Sequence, residues 1–195
     1  MKRDERLRVL LDTKRTVFTF KNLIDLWELK PETAKVVVKR MVDRGIIYRV
    51  VRGYYSITRE GNLYETANLI VQPSYVSMHS ALFYHNVSFQ VSTIVTSVGL
   101  INYEKKVGKS AFKYCSMKKK LFFNLEGIEY KQNVAIAKPE RAILDSLYFG
   151  FTPSLDNPNS VNISYLKKLS SFYPKTVRNK VLKIQELFKN DKKSI

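Results

Sequence analysis

The chain has 195 residues, 45% of them hydrophobic, and carries 34 Lys and Arg against 17 Asp and Glu, a formal net charge of +17. That length suits one large domain or two small ones, and the apolar content is ample for a packed core. The excess charge calls for a polyanionic partner, nucleic acid before an anionic membrane surface. The single cysteine, Cys115, excludes a disulfide framework and a cysteine-based zinc site.

The positive charge is spread along the chain. Residues 1–61 carry 15 basic and 8 acidic side chains, residues 62–138 carry 9 and 4, and residues 139–195 carry 10 and 5. The start, "MKRDERLRVLLD", is too charged for a signal peptide, and no run approaches the roughly 18 apolar residues of a membrane helix. A soluble cytoplasmic protein with no membrane partner is expected.

Leu7, Val9, Leu10 and Leu11 give a first short helix. "TVFTF" (16–20) reads as an extended entry, with Thr19 as the N-cap of a second helix bearing Leu23, Ile24, Leu26, Trp27 and Leu29. Pro31 opens a third helix, which Gly45 ends in a left-handed cap. Its core stripe is Ala34, Val37, Val38 and Met41, and its other face is charged. "IIYRVV" and "YYSI" then form a hairpin around the turn Arg52-Gly53. Three helices followed by a basic hairpin is the order of a winged helix-turn-helix.

Beyond residue 61, "GNLYETANLIV" suggests a connecting helix and "SYVSMHSALFYHNV" (74–87) an amphipathic helix capped by Ser77. "VSTIVTSVG", "SAFKYCSM", "KKKLFFNLEGIEYK" and "QNVAIA" read as strands. "KPERAILDSLYFG" returns to helix from Pro139, "TPSLDNPNS" is a loop, and helices are expected over about 162–172 and 174–190. The fold class expected is α+β, with a winged helix-turn-helix at 1–61 and a mixed α+β domain at 62–195.

These segments resemble the AbiEi-type antitoxins and transcriptional regulators of type IV toxin–antitoxin systems over nearly the whole chain. The matching stretches are "TAKVVVKRMVDRGIIYRVVRGYY" (33–55), "SYVSMHSALFYHNV" (74–87) and "AIAKPERAILDSLYF" (135–149). The resemblance implies a repressor that binds the promoter of its own operon and neutralises a nucleotidyltransferase-like toxin. Some relatives are freestanding regulators, so a transcription factor without a toxin is the alternative.

A recognition helix reads bases with its N-terminal half while basic neighbours hold phosphates. Thr33, Lys35, Val36, Lys39 and Arg40 are placed for this, Val36 suiting a thymine methyl. At the wing, Arg49 and Arg52 suit phosphates or a narrow minor groove. Of Tyr54 and Tyr55, one packs under the wing and the other faces DNA; Tyr54 joins the DNA-contacting set. Lys118, Lys119 and Lys120 form an auxiliary basic patch at an expected strand–strand turn, and Lys175, Arg178 and Lys183 add charge to the last helix. The partner is double-stranded DNA, bound cooperatively or as a dimer.

Catalysis draws little from the sequence, and no cofactor or metal is called for. His79 and His85 fall on different helical faces, and His79-Ser80 with remote Asp145 makes no triad. A nuclease reading rests on Glu129-Tyr130-Lys131 and needs a second carboxylate, with only Glu104 and Glu126 nearby in sequence.

Overall fold

The computed structural model describes residues 2–107 and 110–182. It is a mixed α+β structure with a three-stranded and a six-stranded sheet. Two compact units divide it. The first holds the described residues up to Ile70 together with Gln132–Val134, and the second holds the others from Val71 onward. The division thus falls at 70/71 rather than at 61/62.

In the first unit, α1 (Arg3–Asp12) leads to β1 (Val17–Thr19), α2 (Phe20–Trp27), α3 (Pro31–Asp43), β2 (Tyr48–Val51), β3 (Tyr54–Ser56) and α4 (Leu63–Ile70). The strands are antiparallel in the order β1-β3-β2. Thr19 caps α2: its hydroxyl accepts from the Asn22 N–H at 3.0 Å, and the Asn22 side chain accepts from the Thr19 N–H at 3.0 Å. Gly45, at φ +66°, turns the chain out of α3, and the Ile46 N–H reaches back to the Met41 carbonyl at 2.9 Å. These bonds occupy carbonyls that a helix end otherwise leaves unpaired.

Leu10, Phe18, Leu23, Trp27, Val38, Met41 and Ile47 form the buried core of this unit. Ala34 is buried with them, while Val37 is half-buried. The helix α4 is tied in by Glu65, a buried carboxylate that accepts from the Thr16 hydroxyl at 2.6 Å and the Thr16 N–H at 3.1 Å. A buried charge is tolerable only with such donors, so the helix after residue 61 serves the first unit and is more than a connection.

The second unit runs β4 (Ser74–Val76), α5 (Met78–Tyr84), β5 (Ile94–Gly99), β6 (Tyr103–Val107), β7 (Ser110–Ser116), α6 (Lys119–Phe122), β8 (Ile128–Lys131), β9 (Val134–Ala137, all but its first residue), α7 (Pro139–Tyr148) and α8 (Ile163–Ser170). A short 3-10 turn covers Pro158–Ser160, and the chain is helical again over 175–182. The sheet order is β6-β7-β5-β4-β9-β8, with β5–β7 and β4–β9 parallel and β4–β5 and β6–β7 antiparallel.

Three local expectations change. Ser74–Val76 is a strand between β5 and β9, so the helix expected over 74–87 begins only at Met78, with Ser77 at its N-cap position as expected. Its pairing partners are distant in sequence, so local periodicity could not reveal them. Met78, at φ +54°, makes the turn from that strand into α5. "YEKKV" is a strand of its own, β6.

The third change concerns "KKKLFF", which opens α6 instead of continuing a strand, with Leu121 and Phe122 both buried. The cause lies in α7. The Arg141 guanidinium donates to the carbonyls of Leu121 at 3.1 Å, Asn124 at 2.9 Å and Glu126 at 3.3 Å. Those carbonyls are held in a curved segment that a straight strand could not offer. Of the expected last helix, Lys183 and the residues beyond it lie outside the described residues.

Candidate nucleic-acid interface

Helix α3 begins at Pro31, whose fixed φ and missing N–H suit a first helical position. One side of it, Ala34, Val38 and Met41, is buried. The other presents Thr33, Lys35, Val36, Lys39 and Arg40, all exposed. Val36 is 49% exposed, an apolar side chain left in water between lysines. Lys30 and Arg44, the caps at the two ends of α3, are exposed as well. Sequence periodicity does not single them out, because they stand just outside the helix.

The hairpin comes directly after α3. The register of β2 on β3 slips between Arg49 and Val51, a bulge that twists the ribbon. Arg49 and Arg52 are exposed. The turn is pinned to the start of α2, the Phe20 N–H donating to the Gly53 carbonyl at 2.8 Å. Tyr55 packs against the core of the unit. Tyr54 is half-buried and its hydroxyl donates to the Leu69 carbonyl of α4 at 3.4 Å. That phenol is therefore engaged within the unit, which weakens its assignment to DNA.

Lys118, Lys119 and Lys120 are exposed, Lys118 as the N-cap of α6 and the other two in its first turn. Lys175 and Arg178 are exposed on the helical segment beyond α8. Glu140 and Arg141, in the stretch that resembles the antitoxin family, are buried instead. Glu140 accepts from the Asn162 N–H at 2.7 Å, and Arg141 is surrounded by carbonyls, Tyr75 and Asp145.

The residues weighed for catalysis are held apart or already engaged. Ser80 accepts from the Thr96 N–H at 2.8 Å, while Asp145 is bound by the Ser77 hydroxyl at 2.6 Å. The His85 Nε2 lies 3.0 Å from the Ala137 carbonyl and 3.6 Å from Glu129, and burial lowers its pKa. Glu126 is paired with Lys168 at 2.7 Å. Glu104 on β6 and Glu129 on β8 stand on opposite edges of the sheet. Among the described residues no group of three His, Cys, Asp or Glu side chains is arranged to hold a metal ion, and no helix is long and apolar enough to cross a membrane.

The chemistry of this surface sets what it can do. Exposed ammonium and guanidinium groups on a short rigid helix attract phosphates, and a bare valine among them can meet a thymine methyl. No protein-family model matches the chain, and no curated protein matches it.

Proposed function

We propose that the chain is a sequence-specific DNA-binding transcriptional repressor whose first unit is a winged helix-turn-helix. The observation that carries this reading is the two-sided character of α3. Its apolar stripe is buried, and its outward face combines Lys35, Lys39 and Arg40 with an exposed Val36. In this reading α3 enters the major groove, Lys39 and Arg40 reach base edges, and Arg49 and Arg52 of the hairpin lie along phosphates or a minor groove.

The antitoxin role rests on the resemblance of residues 74–87 and 135–149 to the AbiEi type. In that role the protein represses its own operon and neutralises a nucleotidyltransferase-like toxin. Since Glu140 and Arg141 are buried, any direct toxin contact falls to exposed side chains such as Lys118, Lys119 and Lys120.

The test is binding of the full chain to the duplex upstream of its own gene and to a shuffled duplex, monitored over a range of salt. The reading expects preference for the former and a fall of log K with log salt of about 0.9 per phosphate contacted. Equal affinity for both duplexes, or binding indifferent to salt, overturns it. The antitoxin half is tested separately by co-expressing the chain with the product of an adjacent nucleotidyltransferase-like gene.

A further inference from the structure

A cavity of about 470 Å³ opens within the second unit, lined by none of the residues assigned to DNA. That volume falls in the range of small-molecule sites, about 300–1,000 Å³. Its floor is one face of two parallel strands: Ile94 and Thr96 of β5 beside Lys113 and Cys115 of β7. Met78 and Leu82 of α5 form an apolar wall, and Phe151 and Pro153 form the other.

The outer wall is fastened in place. Gln90 Nε2 donates to the Ser154 hydroxyl at 3.2 Å, and Ser154 donates to Asp156 at 3.0 Å. Asp156 in turn accepts from the Phe89 N–H at 2.7 Å. The backbone just beyond Pro153 is thereby held against the segment that succeeds α5, so the cavity has a built wall and not a loose loop.

The charge of the lining is one-sided. Among the described residues that line it, Lys113 is the one permanent cation and none is acidic. Glu104 is the cross-strand neighbour of Lys113, yet it does not line the cavity, and the ion pairs among the described residues include none to Lys113. The Lys113 ammonium lies 5.7 Å from the centre of the Phe151 ring. A cation thus sits directly beside an apolar wall. Ile94 and Phe151 remain 41% and 47% exposed, an apolar rim that gains by being covered.

We infer that this cavity is a binding site for a small amphipathic monoanion, its carboxylate on Lys113 and its apolar body between Met78, Leu82, Ile94 and Phe151. With no ion pair to Lys113 among the described residues, its ammonium can turn to a ligand's carboxylate in a charge-assisted bond. A purely polar anion would leave the apolar walls wet, and an apolar cation would meet Lys113. The inference is independent of the DNA-binding reading.

The experiment uses the full chain and three matched probes: 2-naphthoate, the neutral 2-naphthamide and the cationic 2-naphthylmethylamine, titrated by calorimetry. The expected result is one 2-naphthoate per chain, binding about tenfold or more tighter than the amide, and no detectable binding of the amine. Lys113→Met should bind acid and amide alike, and Ile94→Trp, at a partly exposed position, should block both. Circular dichroism and thermal melting establish that each variant is folded. Failure of 2-naphthoate to bind at millimolar concentration, equal binding of acid and amide by the natural chain, or discrimination that survives Lys113→Met would each overturn the site.

Discussion

Arg141 and Asp145 face each other one turn apart on α7, with Nε 3.3 Å from Oδ1 and both side chains fully buried. The carboxylate also accepts from the hydroxyls of Ser77 at 2.6 Å, Tyr75 at 3.0 Å and Tyr173. Burial pushes the carboxyl's pKa up, and Arg141 with these hydroxyls pulls against it. With four donors facing it, the carboxylate is the charged partner of a guanidinium that stays protonated. This ion pair joins β4, α6, α7 and the segment after α8 into one core.

Breaking that pair on one side leaves a buried charge without its partner. Asp145→Ala or Arg141→Met should each destabilise the second unit by about 3–5 kcal/mol, read from urea unfolding. The double variant should lose less than the two single losses added together, as a double-mutant cycle measures coupling. Additive losses would show that the two side chains act separately.

The glycine beneath this network is equally constrained. Gly127 has φ +81°, and a Cβ there would lie 3.0 Å from the Arg141 Cβ and 3.0 Å from a Leu169 methyl. Gly45 also has a positive φ, but nothing lies within 4 Å of its would-be Cβ. Ala at Gly45 should cost about 1–2 kcal/mol from backbone strain alone, and Ala at Gly127 distinctly more because α7 and α8 must give way. Equal unfolding midpoints for the two variants would contradict this.

The first unit depends on Glu65. Its carboxylate accepts from both the Thr16 hydroxyl and the Thr16 N–H, so Glu65→Ala should lower stability by about 1.5–3 kcal/mol. A fragment ending at residue 70 should melt at higher temperature than one ending at residue 61, which lacks α4. Coincident melting curves would make α4 dispensable.

On DNA, base reading and phosphate holding should separate. Lys39→Ala or Arg40→Ala should reduce discrimination between operator and shuffled duplex by about 1–3 kcal/mol if the lost contact is bidentate. Arg52→Ala should weaken both duplexes evenly. Uniform losses in all three variants, measured by fluorescence anisotropy at fixed salt, would reduce α3 to an electrostatic handle.

A pH effect belongs to His85. Burial lowers its pKa below the ordinary 6.5, against the raising influence of the Ala137 carbonyl and Glu129. The folded chain therefore binds fewer protons at this ring than the unfolded chain, and stability rises with pH from the depressed value up to 6.5. Acidification through that window removes it. His85→Gln should flatten the pH dependence of the unfolding free energy there, and NMR should show the His85 ring titrating below 6.5. A slope unchanged by the substitution would assign the effect elsewhere.

Much of the first unit is legible in sequence because its determinants are local. The cap at Thr19, the proline opening α3, the glycine ending it and the stripe of Ala34, Val38 and Met41 each act within a few residues. The exposure of Thr33, Lys35, Val36, Lys39 and Arg40 comes from that same period. The second unit is less legible. Whether Ser74–Val76 is strand or helix depends on β5 and β9, and whether "KKKLFF" curls depends on a guanidinium about 20 residues further along the chain. Tertiary structure also decides where the "PERAILD" charges go. Glu140, Arg141 and Asp145 each find their donors or acceptors inside the fold and are buried there. Helical spacing tells which side chains share a face; only the partners brought by the rest of the chain decide whether that face meets water or the core.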